Sequence, residues 1–208
     1  MSRTLIYVPV IHTQADMGTL GGSVRRATMH MMGMRGMRQK VKVIDRLWFE
    51  IAGKIDSLAL SYETVRLYQD GLPVCGKEIQ IVKELAEAGS RNHQLLLRLI
   101  EKGATLMGTE SLELLMEEYA LAKGTALTPN FPKRTTAKAS QKAGLDLLLK
   151  RRDQFIAGRI NETLISGETG ILFLGMLHSV GDKLDGDIRV AYPLKQPFSG
   201  RRKIHHDK

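Results

Sequence analysis

Aromatic side chains make up only 5% of this 208-residue chain, and cysteine occurs once, as Cys75. A single cysteine excludes an intrachain disulfide framework and fits a reducing compartment. Few aromatics mean that the core must be built from Leu, Ile, Val, Met and Ala. No stretch approaches the roughly 18 uninterrupted apolar residues of a membrane span. The apolar opening, Leu5 to Ile11, is short, lacks a small-residue cleavage site and runs into His12. It therefore reads as a buried strand, not a signal peptide. Together these absences place the protein in the cytoplasm, with no membrane partner expected.

What is present is ordinary globular composition with uneven charge. Hydrophobic residues are 43% and charged residues 25%, so the disordered class is excluded. The formal net charge of +9 is concentrated. Arg25, Arg26, Arg35, Arg38, Lys40, Lys42 and Arg46 face only Asp45 across residues 20–46, whereas residues 50–122 are net acidic. A second basic stretch runs from Lys133 to Arg159, and a basic tail follows residue 197. Such asymmetry suits anionic ligands or nucleic acid, although no aromatic-interleaved basic strand accompanies it.

Periodicity predicts strands alternating with helices. Residues 4–11, 64–68, 104–107, 170–175 and 188–192 read as strands. Helical spacing covers 38–55, 76–88, 91–102, a segment opened by the capping residue Thr109 and running to about 122, and 137–165. The apolar face of the last includes Leu145, Leu148, Leu149, Phe155, Ile156 and Ile160. Residues 123–136 read as a loop. The expected fold is a three-layer α/β domain over 1–197, with a central, mostly parallel sheet of about five strands and helices on both faces. Residues 198–208 form a basic, disordered tail.

Ligands of such sheets gather beyond the carboxyl ends of the strands. That rule nominates His12 and Asp16, Gln69 and Asp70, Thr109 and Glu110, and His178. His178 closes Gly175-Met176-Leu177-His178, where glycine lets the chain turn sharply after an apolar strand. Two strand-terminal histidines with carboxylates nearby can bind a divalent metal or share acid–base work. Arg152 and Arg159 lie seven residues apart on one helix face and suit an anion clamp, with Asp153 beside the first. Glu110 and Glu113 are also explained by the helix dipole, and Asp70 by its Asp-Gly turn. Cys75 has no nucleophile signature around it. The Met29–Met37 run, with five methionines and His30, could bind copper(I) or form a pliable apolar loop.

The pattern of strand-Gly-x-x-His late in the chain, a strand-terminal histidine early, and a basic helix around Arg152–Ile160 resembles the TraB/Tiki-type superfamily. That grouping includes erythromycin-esterase-like and haem-binding ChaN-like proteins. The resemblance implies functional roles for His12, for Glu63 or Asp70, for Arg152 or Arg159, and for His178. Here the first motif is Pro9-Val10-Ile11-His12, with proline where the superfamily has glycine.

The expected function is that of a metal-dependent hydrolase. Its catalytic set is His12, His178, Asp70, Arg152 and Arg159, and its metal ligands are His12, His178 and Glu110. The metal would be zinc, manganese or iron, and the substrate a small molecule or peptide, anionic if the arginines contact it. One alternative is a non-enzymatic haem or small-ligand binding protein, with histidine as the axial contact. Another is a nucleic-acid-binding module using the basic face. The oligomeric state, homo-oligomer included, stays open.

Overall fold

The computed structural model describes residues 2–10, 39, 41–126 and 135–193, with backbone alone over 122–126 and 135–141. His12, Asp16, the Met29–Met37 run and the basic tail lie outside the described residues. Five parallel strands form one sheet: β1 (Arg3–Val10), β2 (Val65–Gln69), β3 (Thr105–Met107), β4 (Thr169–Gly175) and β5 (Ile188–Ala191). Their order across the sheet is β3-β2-β4-β1-β5. β4 therefore sits between β1 and β2, and each of its two flanks is a parallel partner.

Strand alternation divides the core into two layers. Ile6, Val8 and Val10 of β1, Leu67 of β2, and Ile171 and Phe173 of β4 face one side. There they meet Trp48, Ile51 and Ile55 of α1 (residues 41–56), Val82 of α2 (Glu78–Glu87), and Leu95, Leu96 and Leu99 of α3 (Arg91–Glu101). On the other side Leu5, Tyr68, Leu172 and Leu174 pack on Ile156, Ala157, Ile160 and Leu164. These belong to or follow α5 (Thr135–Thr163), the partner of α4 (Leu112–Ala126). Each fully buried aliphatic side chain contributes about 1.5–3 kcal/mol, so both layers are needed. The structure is thus three-layered α/β, with an entirely parallel sheet. Gly170 serves the closeness of the α5 layer: a Cβ there would lie 2.7 Å from Leu5 Cδ1 and 3.2 Å from the Tyr68 ring.

Three sequence expectations need correction. The loop expected over 123–136 is shorter, because α4 continues to Ala126 and α5 begins at Thr135. The cap of α4 is Ser111, whose Oγ accepts from Leu114 N at 3.4 Å. Thr109 instead accepts from Gln69 N at 2.9 Å and donates to Met107 O, joining the ends of β2 and β3. Leu145, expected on the apolar face of α5, is exposed, whereas Leu148, Ile156 and Ile160 are buried. Among the described residues, no helix is long and apolar enough to cross a membrane.

α5 runs back toward the amino ends of the strands before β4 begins. Arg152 lies eleven residues before its end at Thr163, about 16 Å along the axis, while β4 is about 20 Å long. Arg152 and Asp153 are thereby level with the carboxyl edge of the sheet. That edge collects the site.

Candidate functional site

Asp70 follows β2 in a turn completed by Gly71, whose φ of 75° suits glycine. Its N–H still donates to Phe173 O at 2.9 Å, so the ladder to β4 extends one residue beyond the strand. The carboxylate looks away from its own turn. Oδ2 accepts from Gly175 N at 2.9 Å, and Oδ1 accepts from Arg152 Nη2 at 2.9 Å. Asp70 therefore ties the end of β4 and the middle of α5 to the end of β2.

Glu110 precedes α4 and is fully buried. Its backbone joins the segment after β2: Glu110 N donates to Leu72 O, and Val74 N donates to Glu110 O. Oε1 accepts from Gly71 N at 2.9 Å and from Arg152 Nη2, and Oε2 accepts from Arg152 Nε at 2.8 Å. Burial pushes the Glu110 carboxyl above its ordinary range. The Arg152 hydrogen bond and charge pull it back, and the neighbouring Asp70 pushes it up again. Arg152, 6% exposed, completes its fork by donating from Nη1 to Glu118 Oε2 at 2.9 Å. Burial alone would lower its guanidinium, but the hydrogen bond to Glu110 and the charges of Glu110, Asp70 and Glu118 more than offset that.

His178 closes the turn after β4, its N–H donating to Gly175 O at 3.1 Å. Nδ1 lies 2.6 Å from Asp153 Oδ1, and Asp153 Oδ2 accepts from Ser179 N at 3.0 Å. A carboxylate only accepts, so this contact puts a ring proton on Nδ1, and in the neutral ring Nε2 is then the acceptor. Nε2 faces Asp70 Oδ2 at 3.6 Å. The side chains of His178, Asp70 and Asp153 are each 5% exposed. Asp70, Glu110 and His178 each offer a ligand atom, all within 4.8 Å of one another, and the group could hold a metal ion.

Of the residues nominated from sequence, Asp70, Glu110, Arg152 and His178 come together here. Arg159 does not join them: it donates to Gly108 O and contacts Glu162, both at 3.4 Å. Seven residues of helix carry it about 10 Å from Arg152 along the axis. Arg152 does not have the geometry of a free anion clamp, since Nε, Nη1 and Nη2 all point at carboxylates. Glu63 lies exposed in a turn before β2, at the opposite edge, so Asp70 is the early carboxylate of this site. Cys75 and Glu113 are exposed.

Two residues beside the cluster were not among those nominated from the sequence as site residues. Asp153 was visible as a neighbour of Arg152, yet its partner is His178. Adjacent helical residues point about 100° apart, so one faces the strand-end carboxylates and the other the histidine. Tyr7 of β1 packs against the α5-side core, its ring 5.5 Å from that of Tyr192. Burial, with the charges of Tyr192, Asp70 and Asp153, pushes its phenol up to about 12. Nothing but strand periodicity marked it. Comparison with known protein families, curated proteins and solved structures returns no match.

Proposed function

We propose that this carboxyl edge is a divalent-metal site serving a hydrolase, with Asp70 and His178 as its first two ligands and Glu110 as the third. The observation that carries the reading is the Asp70 Oδ2 to His178 Nε2 pair at 3.6 Å, backed by Asp153 on the far ring nitrogen. Two donors about 2.1 Å from one ion at a tetrahedral angle stand about 3.4 Å apart. A ligating histidine almost always gives its other N–H to a carboxylate or carbonyl, as His178 does. The charge count supports the same reading. Asp70 and Glu110 are buried against the single guanidinium of Arg152, and Asp153 is buried against His178. Buried carboxylates in excess call for a cation or a proton.

Zinc, manganese and iron suit a mixed carboxylate and imidazole set. Such an ion would polarise a scissile group and activate water. The sequence supplies a further ligand candidate, His12, two residues beyond Val10, the strand position paired with Gly175. A second reading rests on the 2.6 Å Asp153–His178 contact. It makes His178 Nε2 a general base for water without a metal, with Asp153 holding the ring.

Titration of purified protein with zinc, manganese and iron(II), followed calorimetrically, tests the first reading. Wild type should bind one ion, and His178→Ala and Asp70→Asn should abolish that binding. If wild type binds none of the three at millimolar concentration, the metal reading falls and the dyad reading stands alone. Hydrolysis of simple esters unaffected by chelator, yet lost in His178→Ala, would then support the dyad.

A further inference from the structure

Lone pairs decide how an ion can enter this site. Each carboxylate oxygen accepts about two hydrogen bonds. Glu110 Oε1 already accepts two, from Gly71 N and Arg152 Nη2, and Oε2 takes Arg152 Nε. Asp70 Oδ1 takes Arg152 Nη2 as well, while Oδ2 takes Gly175 N and also turns toward His178. The guanidinium thus holds both Glu110 oxygens and Asp70 Oδ1, so an ion seated at Asp70 Oδ2 and His178 Nε2 gains Glu110 as a ligand only by displacing it. It also has somewhere to go: Nη1 is bonded to Glu118, whose side chain is 47% exposed at the rim.

We propose that Arg152 is the resident counter-cation of this site, and that a divalent ion binds by exchange, displacing the guanidinium from Glu110 and Asp70 while Glu118 retains it. The proposal rests on the metal reading above. A buried charge cluster of this kind is most costly when it is left uncompensated. Arginine fills that need in the metal-free protein, and a metal takes the role over when it binds. Affinity for the ion is therefore set against the strength of the Arg152 contacts. Arg159 marks the contrast: its 3.4 Å contacts and 24% exposure give it no comparable hold on a carboxylate.

Manganese(II) titration, read by the electron paramagnetic resonance signal of the free ion, tests the exchange in wild type, Arg152→Met and Glu118→Gln. Arg152→Met should bind manganese at least about tenfold more tightly, because its competitor is gone. Glu118→Gln, a change at the rim, should bind it several-fold more weakly, because the displaced guanidinium loses its landing partner. If Arg152→Met folds only when manganese is supplied, the exchange is likewise supported. Equal or weaker binding by Arg152→Met, with wild type binding normally, overturns the exchange while leaving the metal site intact. Absence of binding in wild type and both variants removes the metal reading and this inference with it.

Discussion

Replacing Asp153 by asparagine should convert His178 from an acceptor into a donor at Nε2, the position where the proposed metal site requires an acceptor. Asp153 uses its two oxygens separately, Oδ1 toward His178 Nδ1 at 2.6 Å and Oδ2 toward Ser179 N at 3.0 Å. An asparagine has one oxygen and one NH2. If the oxygen keeps the Ser179 N–H, the NH2 faces Nδ1, which must then be bare, and the ring proton moves to Nε2. The opposite orientation sets the NH2 against the Ser179 N–H, two donors face to face, and is disfavoured. Nε2 then carries a hydrogen toward Asp70, where it can neither ligate a metal nor take a proton from water. Loss of such an outer partner typically costs about 10–100-fold in metal affinity. Loss of a charge-assisted hydrogen bond in a buried place costs about 1.5–3 kcal/mol of stability. For a chain of this length that is about 3–12 °C in Tm. Long-range nitrogen–proton NMR correlations of histidine report the tautomer directly, and calorimetric metal titration reports the affinity. If Asp153→Asn keeps the Nδ1–H tautomer and wild-type metal affinity, Asp153 does not orient His178 and the reasoning fails.

The remaining predictions concern the walls of the site. Gly108→Ala should destabilise by about 1–3 kcal/mol in urea unfolding, because its Cβ would meet Val74 Cα at 2.8 Å, a backbone atom with no rotamer to yield. An unchanged midpoint would show that the segment after β2 gives way freely. Ultraviolet titration of wild type should show the buried phenols of Tyr7 and Tyr68 ionising above the ordinary range, and Tyr7→Phe should remove the transition near pH 12; an unchanged transition there would show that Tyr7 is not the buried phenol that titrates near pH 12. Glu110 has a folded-state pKa raised by burial, so its stabilising contribution is present below its unfolded value and is lost as pH rises through the folded one. Glu110→Gln should therefore cost more stability at about pH 4.5 than at about pH 7.5, and the reverse order in urea unfolding would contradict the burial argument.

Much of the fold was legible because its signals are local. β1 and β4 are continuous apolar runs, and both are buried on each face by helices, as parallel strands are. The errors lie where local signals and tertiary structure part. Gly124 and the threonines around it read as loop, yet α4 carries the glycine within its last turns. Leu145 read as core because it continues the periodicity of Leu148 and Ile156. α5 has 29 residues, about 43 Å, roughly twice the length of β4, so its first turns have no sheet to cover. A periodic stripe tells which face is apolar but not where the partner surface stops.

The site was legible in its location and not in its wiring. The rule that ligands gather at strand carboxyl ends picked out Asp70, Glu110 and His178, because that rule needs only the strand boundaries. It could not foresee that Arg152 would be spent on two of those carboxylates, since charge in a sequence carries no distance. The deciding fact is the strand order, which periodicity does not report. β3, β2 and β4, the strands that deliver Glu110, Asp70 and His178, are neighbours in the sheet, but in an order that differs from their order in the chain. Had β1 lain between β2 and β4, the ends carrying Asp70 and His178 would be separated by two strand spacings, about 9.6 Å. No side-chain pair like the 3.6 Å contact between Asp70 Oδ2 and His178 Nε2 would then form without a long detour of the backbone. The insertion of β4 beside β2 is therefore what turns three separate strand ends into one site, and the Asp70 hydrogen bonds to Phe173 O and Gly175 N hold that junction closed.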